Sequence, residues 1–229
     1  LAVNFLFAYA HPTHEQEVQN RLSKEFPDLP ISVSHEVAPI WREYERASTT
    51  IADAAVKPMM QAFVKSLDHG LKSRGFERDW AVMKSNGGQM LAQASADRPI
   101  QTVLSGLSGG IIAGKAIGER QNAHNVITFD MGGTSTDVGV VANGSIGYTT
   151  AWEIEFGLPI SAPFIDLTTM GAGGGSIAWI NKGGMLQVGP QSAGAVPGPA
   201  CYGLGGDEPT VTDANVVLGR MNPKNFLGG

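Results

Sequence analysis

Val126–Val141 reads VITFDMGGTSTDVGVV: an apolar run, an acid, two glycines, three hydroxyl residues, a second acid and another apolar run. The pattern predicts strand, tight turn, strand, with Asp130 closing the first strand and Asp137 opening the second. Adjacent glycines let successive backbone N–H groups converge on one point, and such a nest binds an anionic oxygen. In this reading Gly132, Gly133, Thr134 and Ser135 form a phosphate cradle, to which Thr136 adds a hydroxyl. Asp130 stands where it could hold a hydrated magnesium ion, since Mg²⁺ commonly takes one or two carboxylates together with substrate phosphate oxygens. No Gly-Lys-Ser/Thr follows, which excludes the Walker A type of phosphate loop. A plain hairpin with two solvated acids is the competing reading. Buried strands on both sides weigh against it, because they would aim the turn out of a sheet.

Upstream, Ser105-Gly106-Leu107-Ser108-Gly109-Gly110 is expected to open an apolar helix over Ile111–Arg120 that feeds the strand Val126–Phe129. Glycines at a helix start expose N–H groups and the positive end of the dipole to an anion, so Gly109 and Gly110 are candidate ligand contacts. Tight packing of a small-residue helix on the sheet explains them equally well. Downstream, Asn143-Gly144 marks a hairpin turn. Gly173, Gly174, Gly175 and Ser176, ahead of an expected small-residue helix, would let a flat adenine or ribose lie against backbone, or would serve close helix–sheet packing.

The first third is built differently. Of 30 glycines, only Gly70 and Gly75 fall before residue 80. Leu1–Tyr9 reads as a buried strand, Glu15, Val18, Leu22 and Phe26 have near-helical spacing, and Ile31–Val37 alternates like a second, parallel strand. From about Tyr44 to Leu71 a long helix is expected, with Ile51, Ala55, Met59, Phe63 and Leu67 as its apolar row and Pro58 kinking or dividing it. Trp80–Met83 predicts a strand entering the turn Ser85–Gly88. Residues 1–80 thus read as a βαβ unit plus a long helix, and 81–229 as a Gly-rich part that carries the phosphate cradle, the nucleotide-binding part in the resemblance given next.

The residues match a known pattern. Phe129–Val138 resembles the phosphate loop of the hydantoinase A and 5-oxoprolinase family, and the likeness extends along nearly the whole chain. It includes Arg42-Glu43-Tyr44-Glu45-Arg46, Ser85-Asn86-Gly87-Gly88, Met170–Ala178, Pro197–Gly203 and Pro209–Asn215. Leu107 stands where that family usually has proline. The resemblance implies an α/β fold of the actin-like ATPase, ribonuclease H-like type, a mixed sheet flanked by helices. It implies ATP and Mg²⁺ as cofactors, and phosphorylation of the carbonyl oxygen of a cyclic amide such as a hydantoin or 5-oxoproline, followed by hydrolytic ring opening. Asp130 and Asp137 are the catalytic candidates and Asp130 the metal candidate; no catalytic base is identified. A B-type hydantoinase subunit or domain is the implied partner, an oligomer is expected, and the chain is expected to be the central part of a larger domain, preceded by a region with its own phosphate loop. The beta subunit of an acetone-type carboxylase, or an actin- or Hsp70-like nucleotide switch, are the alternatives.

Composition narrows the classes. With 16 Lys and Arg against 21 Asp and Glu, the net charge is −5, which argues against nucleic acid as the main partner. At 42% hydrophobic residues the chain can bury a core. The single cysteine, Cys201, excludes an internal disulfide and a multi-cysteine metal site, and reads as a packing residue. The longest uncharged stretches, Pro99–Gly114 and Gly183–Gly206, are too broken by Gly, Ser and Gln to predict a membrane span. A reducing, cytoplasmic setting is expected. His11 and His14 read as surface residues, the Arg42–Arg46 cluster as a salt-bridged face or a substrate or interdomain contact, and Asp213 as a cap for a last helix.

Overall fold

The computed structural model describes residues 1–154 and 157–222; the last seven residues of the expected Gly-rich part lie outside them. The architecture is mixed α/β, divided into two compact units: Leu1–Ala113 with Ile146–Asp166, and Gly114–Ser145 with Leu167–Gly229.

The first unit opens with β1 (Ala2–Val3), helix α1 (Thr13–Glu25) and β2 (Ser32–Val33), which pairs parallel to β1 as the crossover predicts. Both strands stop after two residues, far short of Leu1–Tyr9 and Ile31–Val37. Glu15 is the reason. Fully buried, it accepts hydrogen bonds from Phe5 N–H at 2.8 Å and His35 N–H at 2.9 Å, amides that a longer ladder would have used. After β2 the chain turns into the one-turn helix α2 (Ser34–Val37).

Helix α3 (Glu43–Lys72) runs 30 residues, undivided at Pro58. Its expected apolar row faces outward: Ile51, Met59 and Phe63 are 60%, 67% and 54% exposed. The buried face carries Arg46, Thr49, Thr50, Asp53, Lys57 and Val64. Periodicity located the apolar stripe correctly and the covered face wrongly, because partners for polar groups are invisible to a hydrophobic pattern.

Those partners are specific. Arg46 donates to Asn4 Oδ1 at 3.2 Å, Ser34 Oγ at 3.1 Å, Ile40 O at 2.9 Å and Phe5 O at 2.8 Å, pairs with Glu43, and lies 5.5 Å from the Tyr9 ring centroid. Ser34 Oγ donates to Glu15 at 2.6 Å and the His35 ring sits 2.8 Å from the same carboxylate. Asp53 accepts from Ser32 Oγ and Ile100 N–H, while Lys57 donates to Ile31 O. Among the described residues no buried side-chain polar atom lacks a partner. Burial works to raise the Glu15 pKa, but the bonds from Ser34, His35 and Phe5 outweigh it and hold the carboxyl below its ordinary value.

Apolar packing completes the unit. The hairpin β3 (Ala81–Met83) and β4 (Gln89–Leu91) leads to α4 (Ala92–Asp97), where Ala92 and Ala96 pack with Val64, Met60 and Trp80. The 3-10 turn Pro99–Thr102 and helix α5 (Ser105–Arg120) are separated by extended Val103 and by Leu104 at φ 62°. An 18-residue stretch within Pro99–Arg120 reaches a mean hydropathy of 1.2, enough for a membrane span by composition. That break leaves a 16-residue helix, short of the ~20 residues a span needs.

The second unit begins within α5 and continues into β5 (Val126–Met131), β6 (Thr136–Ala142) and the short β7 (Ser145–Ile146). The chain then returns to the first unit. There β8 (Tyr148–Thr149) pairs with β11 (Phe164–Ile165) and β9 (Trp152–Glu153) with β10 (Pro159–Ile160), so that Ile160, Ala162 and Phe164 cluster with Ile100 and Trp152. Finally β12 (Leu167–Met170) joins β6 in the order β12-β6-β5, β13 (Ser176–Ile180) pairs with β14 (Leu186–Ser192), and α6 (Val211–Val217) follows.

Arg46→Met, which strands the buried acceptors, is expected to cost about 3–5 kcal/mol in urea unfolding. A loss under about 1 kcal/mol would show that the apolar clusters alone hold the first unit.

Candidate functional site

The strand–turn–strand forms as its sequence predicts. β5 and β6 pair antiparallel with Phe129 opposite Val138, Asp130 opposite Asp137 and Met131 opposite Thr136. Gly132 N–H donates to Ser135 O at 2.9 Å and closes the turn. The expected burial of both strands holds on one face only. There a methyl on Gly114 of α5 would sit 2.3 Å from Thr128 Cγ2, and one on Gly118 would sit 2.5 Å from Val126 Cγ2, so glycine lets the helix lie directly on β5. On the other face Ile127 and Phe129 are 72% and 62% exposed.

Asp130 and Asp137 share the α5 face at the turn end of the sheet. Directly opposite residues have Cβ atoms about 5 Å apart, and like charges so placed destabilise a ladder. Thr169 of β12 is paired with Asp137 and its hydroxyl donates to Asp137 Oδ1 at 2.7 Å. The two carboxylates and the Thr169 hydroxyl therefore form a row across three strands, in which the two carboxylates are oxygen donors of the kind magnesium takes.

Gly173–Ser176 closes on this turn from behind. Gly174 N–H donates to Gly132 O at 2.8 Å and Gly175 N–H to Gly133 O at 2.7 Å, while Thr136 Oγ1 donates to Ala172 O at 2.5 Å. A methyl on Gly173 would stand 2.6 Å from the carbonyl carbon of Thr134. Ser176, buried, accepts from Gly173 N–H and starts β13, a strand where the sequence reading expected a helix. Thr212, in the first turn of α6, donates both N–H and Oγ1 to Gly174 O at 2.8 Å. Thr169 carries no signal in the sequence, and Thr212 falls there only within the Pro209–Asn215 likeness and beside the expected cap, since threonines in a strand or a helix start have no diagnostic spacing.

One consequence is directional. In a trans peptide the C=O of one residue and the N–H of the next point opposite ways. With the Gly132 and Gly133 carbonyls turned to Gly174 and Gly175, the N–H groups of Gly133 and Thr134 are turned away from that segment, and both residues are exposed. A methyl on Gly133 would meet no described atom within 4 Å, and its φ is not left-handed. Neither the backbone nor a described neighbour requires glycine there.

The remaining candidates are placed as follows. Helix α5 starts at Ser105, six residues before Ile111, so Gly109 and Gly110 lie in its second turn, in the first unit, where N–H groups bond to the helix's own carbonyls. Gly109 faces Met83 Sδ, and Gly110 has open space beside it. His11 and His14 are exposed, and the Arg42–Arg46 cluster contains the buried hub Arg46. Asp213 and Thr210 form a capping box on α6. Asp213 also accepts from Cys201 N–H at 2.7 Å. Burial works to raise Asp213, but its bonds from Cys201 and Thr210 prevail and set the carboxyl at about 2. Burial, followed by the neighbouring Asp213, pushes the Cys201 thiol up to about 11, which suits a packing residue rather than a nucleophile.

Comparison with known proteins adds a lineage to this geometry. The hydantoinase/oxoprolinase family matches residues 46–229. Caprolactamase subunit alpha of Pseudomonas jessenii is 39% identical over 229 residues, covering 100% of this chain and 33% of that subunit. The crystal structure of the ATP-dependent caprolactamase from that organism superimposes with a TM-score of 0.72 at 38% identity, covering 100% of this chain and 33% of that one. The nucleotide-free structure of acetone carboxylase gives a TM-score of 0.81 at 30% identity, covering 100% and 32%. The 5-oxoprolinase of Saccharomyces cerevisiae is 37% identical over 228 residues, covering 99% of this chain and 17% of that protein. The chain thus spans a third or less of the length of these relatives.

Gly173→Ala is expected to destabilise by about 1–3 kcal/mol through overpacking, and Gly133→Ala by less than about 0.5 kcal/mol. Urea midpoints in the reverse order would overturn the contact assignment. Because the folded Asp213 carboxyl is depressed to about 2, the stability it lends is complete above about pH 4 and drains away as pH falls towards 2. Asp213→Asn should flatten that part of the stability profile.

Proposed function

As the chain belongs to the hydantoinase/oxoprolinase family, we propose that it forms the nucleotide-handling part of an ATP-dependent enzyme that opens a cyclic amide, on a fold of the actin-like ATPase type. The carrying observation is the pair of outward N–H groups at Gly133 and Thr134, backed by the carbonyl bonds of Gly132 and Gly133 and flanked by two opposed aspartates.

An amide carbonyl is a poor electrophile, and ATP with magnesium would supply the phosphoryl group that makes its oxygen a leaving group, at neutralised charge. Asp130 and Asp137 hold the cation through their carboxylate oxygens. Gly133 and Thr134 donate main-chain N–H groups to phosphate oxygens, and the Thr134 hydroxyl adds a donor. A side chain at position 133 would fill the space through which phosphate approaches, which accounts for a glycine that nothing in the described protein demands. The segment Gly173–Ser176 holds the turn from behind, so its donors are oriented before ligand arrives. A B-type partner completes hydrolysis in this reading. The acetone carboxylase likeness supports a second reading, with a ketone in place of the ring amide.

ADP release by the purified protein, with its partner subunit, is to be measured with 5-oxoproline, hydantoin, caprolactam, or acetone plus bicarbonate. Stimulation by a ring amide is expected; stimulation by the ketone alone selects the second reading, and indifference to all of them overturns both. Gly133→Ala should raise the KM for ATP by about tenfold or more, and Asp130→Asn should lower kcat by about 10²–10³-fold.

A further inference from the structure

The sheet uses two threonine hydroxyls in different ways. Thr128 on β5 accepts from Gly139 N–H at 3.1 Å, a purely local strand contact. Thr169 on β12 gives its hydrogen to a carboxylate, Asp137 Oδ1, at 2.7 Å, although it is exposed to water that could serve instead. Strand formation does not ask for that hydroxyl, since valine suits the position as well. What the hydroxyl does is occupy one of Asp137's two oxygens and hold the side chain in register with the row. Asp130 lies directly across from Asp137 on its other side.

We infer that Thr169 is the positioning residue for the cation held between Asp130 and Asp137. Its donated hydrogen ties Oδ1 towards β12 and leaves Oδ2 as the oxygen offered on the Asp130 side. A half-buried aspartate without that tether would sample its rotamers and would be pushed away from Asp130 by like charge. The inference rests on the proposed reading of the two aspartates as cation ligands and adds a residue that touches neither cation nor nucleotide. Outer-sphere hydrogen bonds of this kind typically govern metal affinity by 10–100-fold.

The test uses Mn²⁺ as the probe, titrated by electron paramagnetic resonance into the full chain with a non-hydrolysable ATP analogue. Thr169→Val should weaken Mn²⁺ binding roughly tenfold, with an unchanged circular dichroism spectrum, and Thr169→Ser should restore it. Thr169→Ala carries the same expectation if the valine variant does not fold. Unaltered Mn²⁺ affinity in the valine or alanine variant, or failure of serine to restore it, overturns the inference. Asp130→Asn separates the two levels: if it retains full Mn²⁺ binding, the cation reading itself fails, whereas its loss alongside an unaffected Thr169→Val sinks only the role of Thr169.

Discussion

Two hydrogen bonds, from the Gly174 and Gly175 amides to the Gly132 and Gly133 carbonyls, decide what the turn between β5 and β6 can do. A four-residue turn on a hairpin tip is ordinarily free to rotate its peptides. Engaging two consecutive carbonyls fixes both peptide planes and leaves their N–H groups turned the other way. Close approach requires glycine at 173, where any side chain would run into the Thr134 backbone. Thr212 then secures Gly174 from α6, so a short helix far along the chain contributes to the orientation of the turn.

The first unit solves a different problem. Its long helix buries Arg46, Asp53 and Lys57, which are satisfied by backbone carbonyls and amides, by Asn4, Ser32, Ser34 and Glu43, and by the pairing of Asp53 with Lys57. Ionic interiors of this kind contribute little net stability over an apolar core, yet they penalise any rearrangement that strands a charge. The arrangement therefore favours one geometry for the segments around β1 and β2, which are themselves only two residues long. Meanwhile the apolar row of α3 and one face of β5 remain in contact with solvent.

Much of this was legible in the residues. The hairpin at Asp130–Asp137, the parallel crossover around α1 and the cap at Asp213 all have local signatures, and each forms where its signature lies. Misreadings arose where a distant partner overrides a local pattern. Glu15 takes amides from Phe5 and His35 and truncates both early strands. Helix α5 absorbs Ser105–Gly110 because Leu104, not a glycine, makes the left-handed break before it. Gly173–Gly175 advertise proximity to something, but only the folded chain shows that their backbone lies against Gly132–Thr134. Thr169 acquires meaning solely from its register with Asp137.

The turn presents main-chain donors, and every amino acid except proline owns the same one. In the proposed function, a grip made that way would be blind to which molecule carries the anionic group. The relatives described above are named for a lactam, for 5-oxoproline and for acetone, three different acceptors. On the proposed reading, chemical discrimination among acceptors is free to diversify elsewhere, so an engineer exchanging acceptor pockets could leave this hairpin untouched.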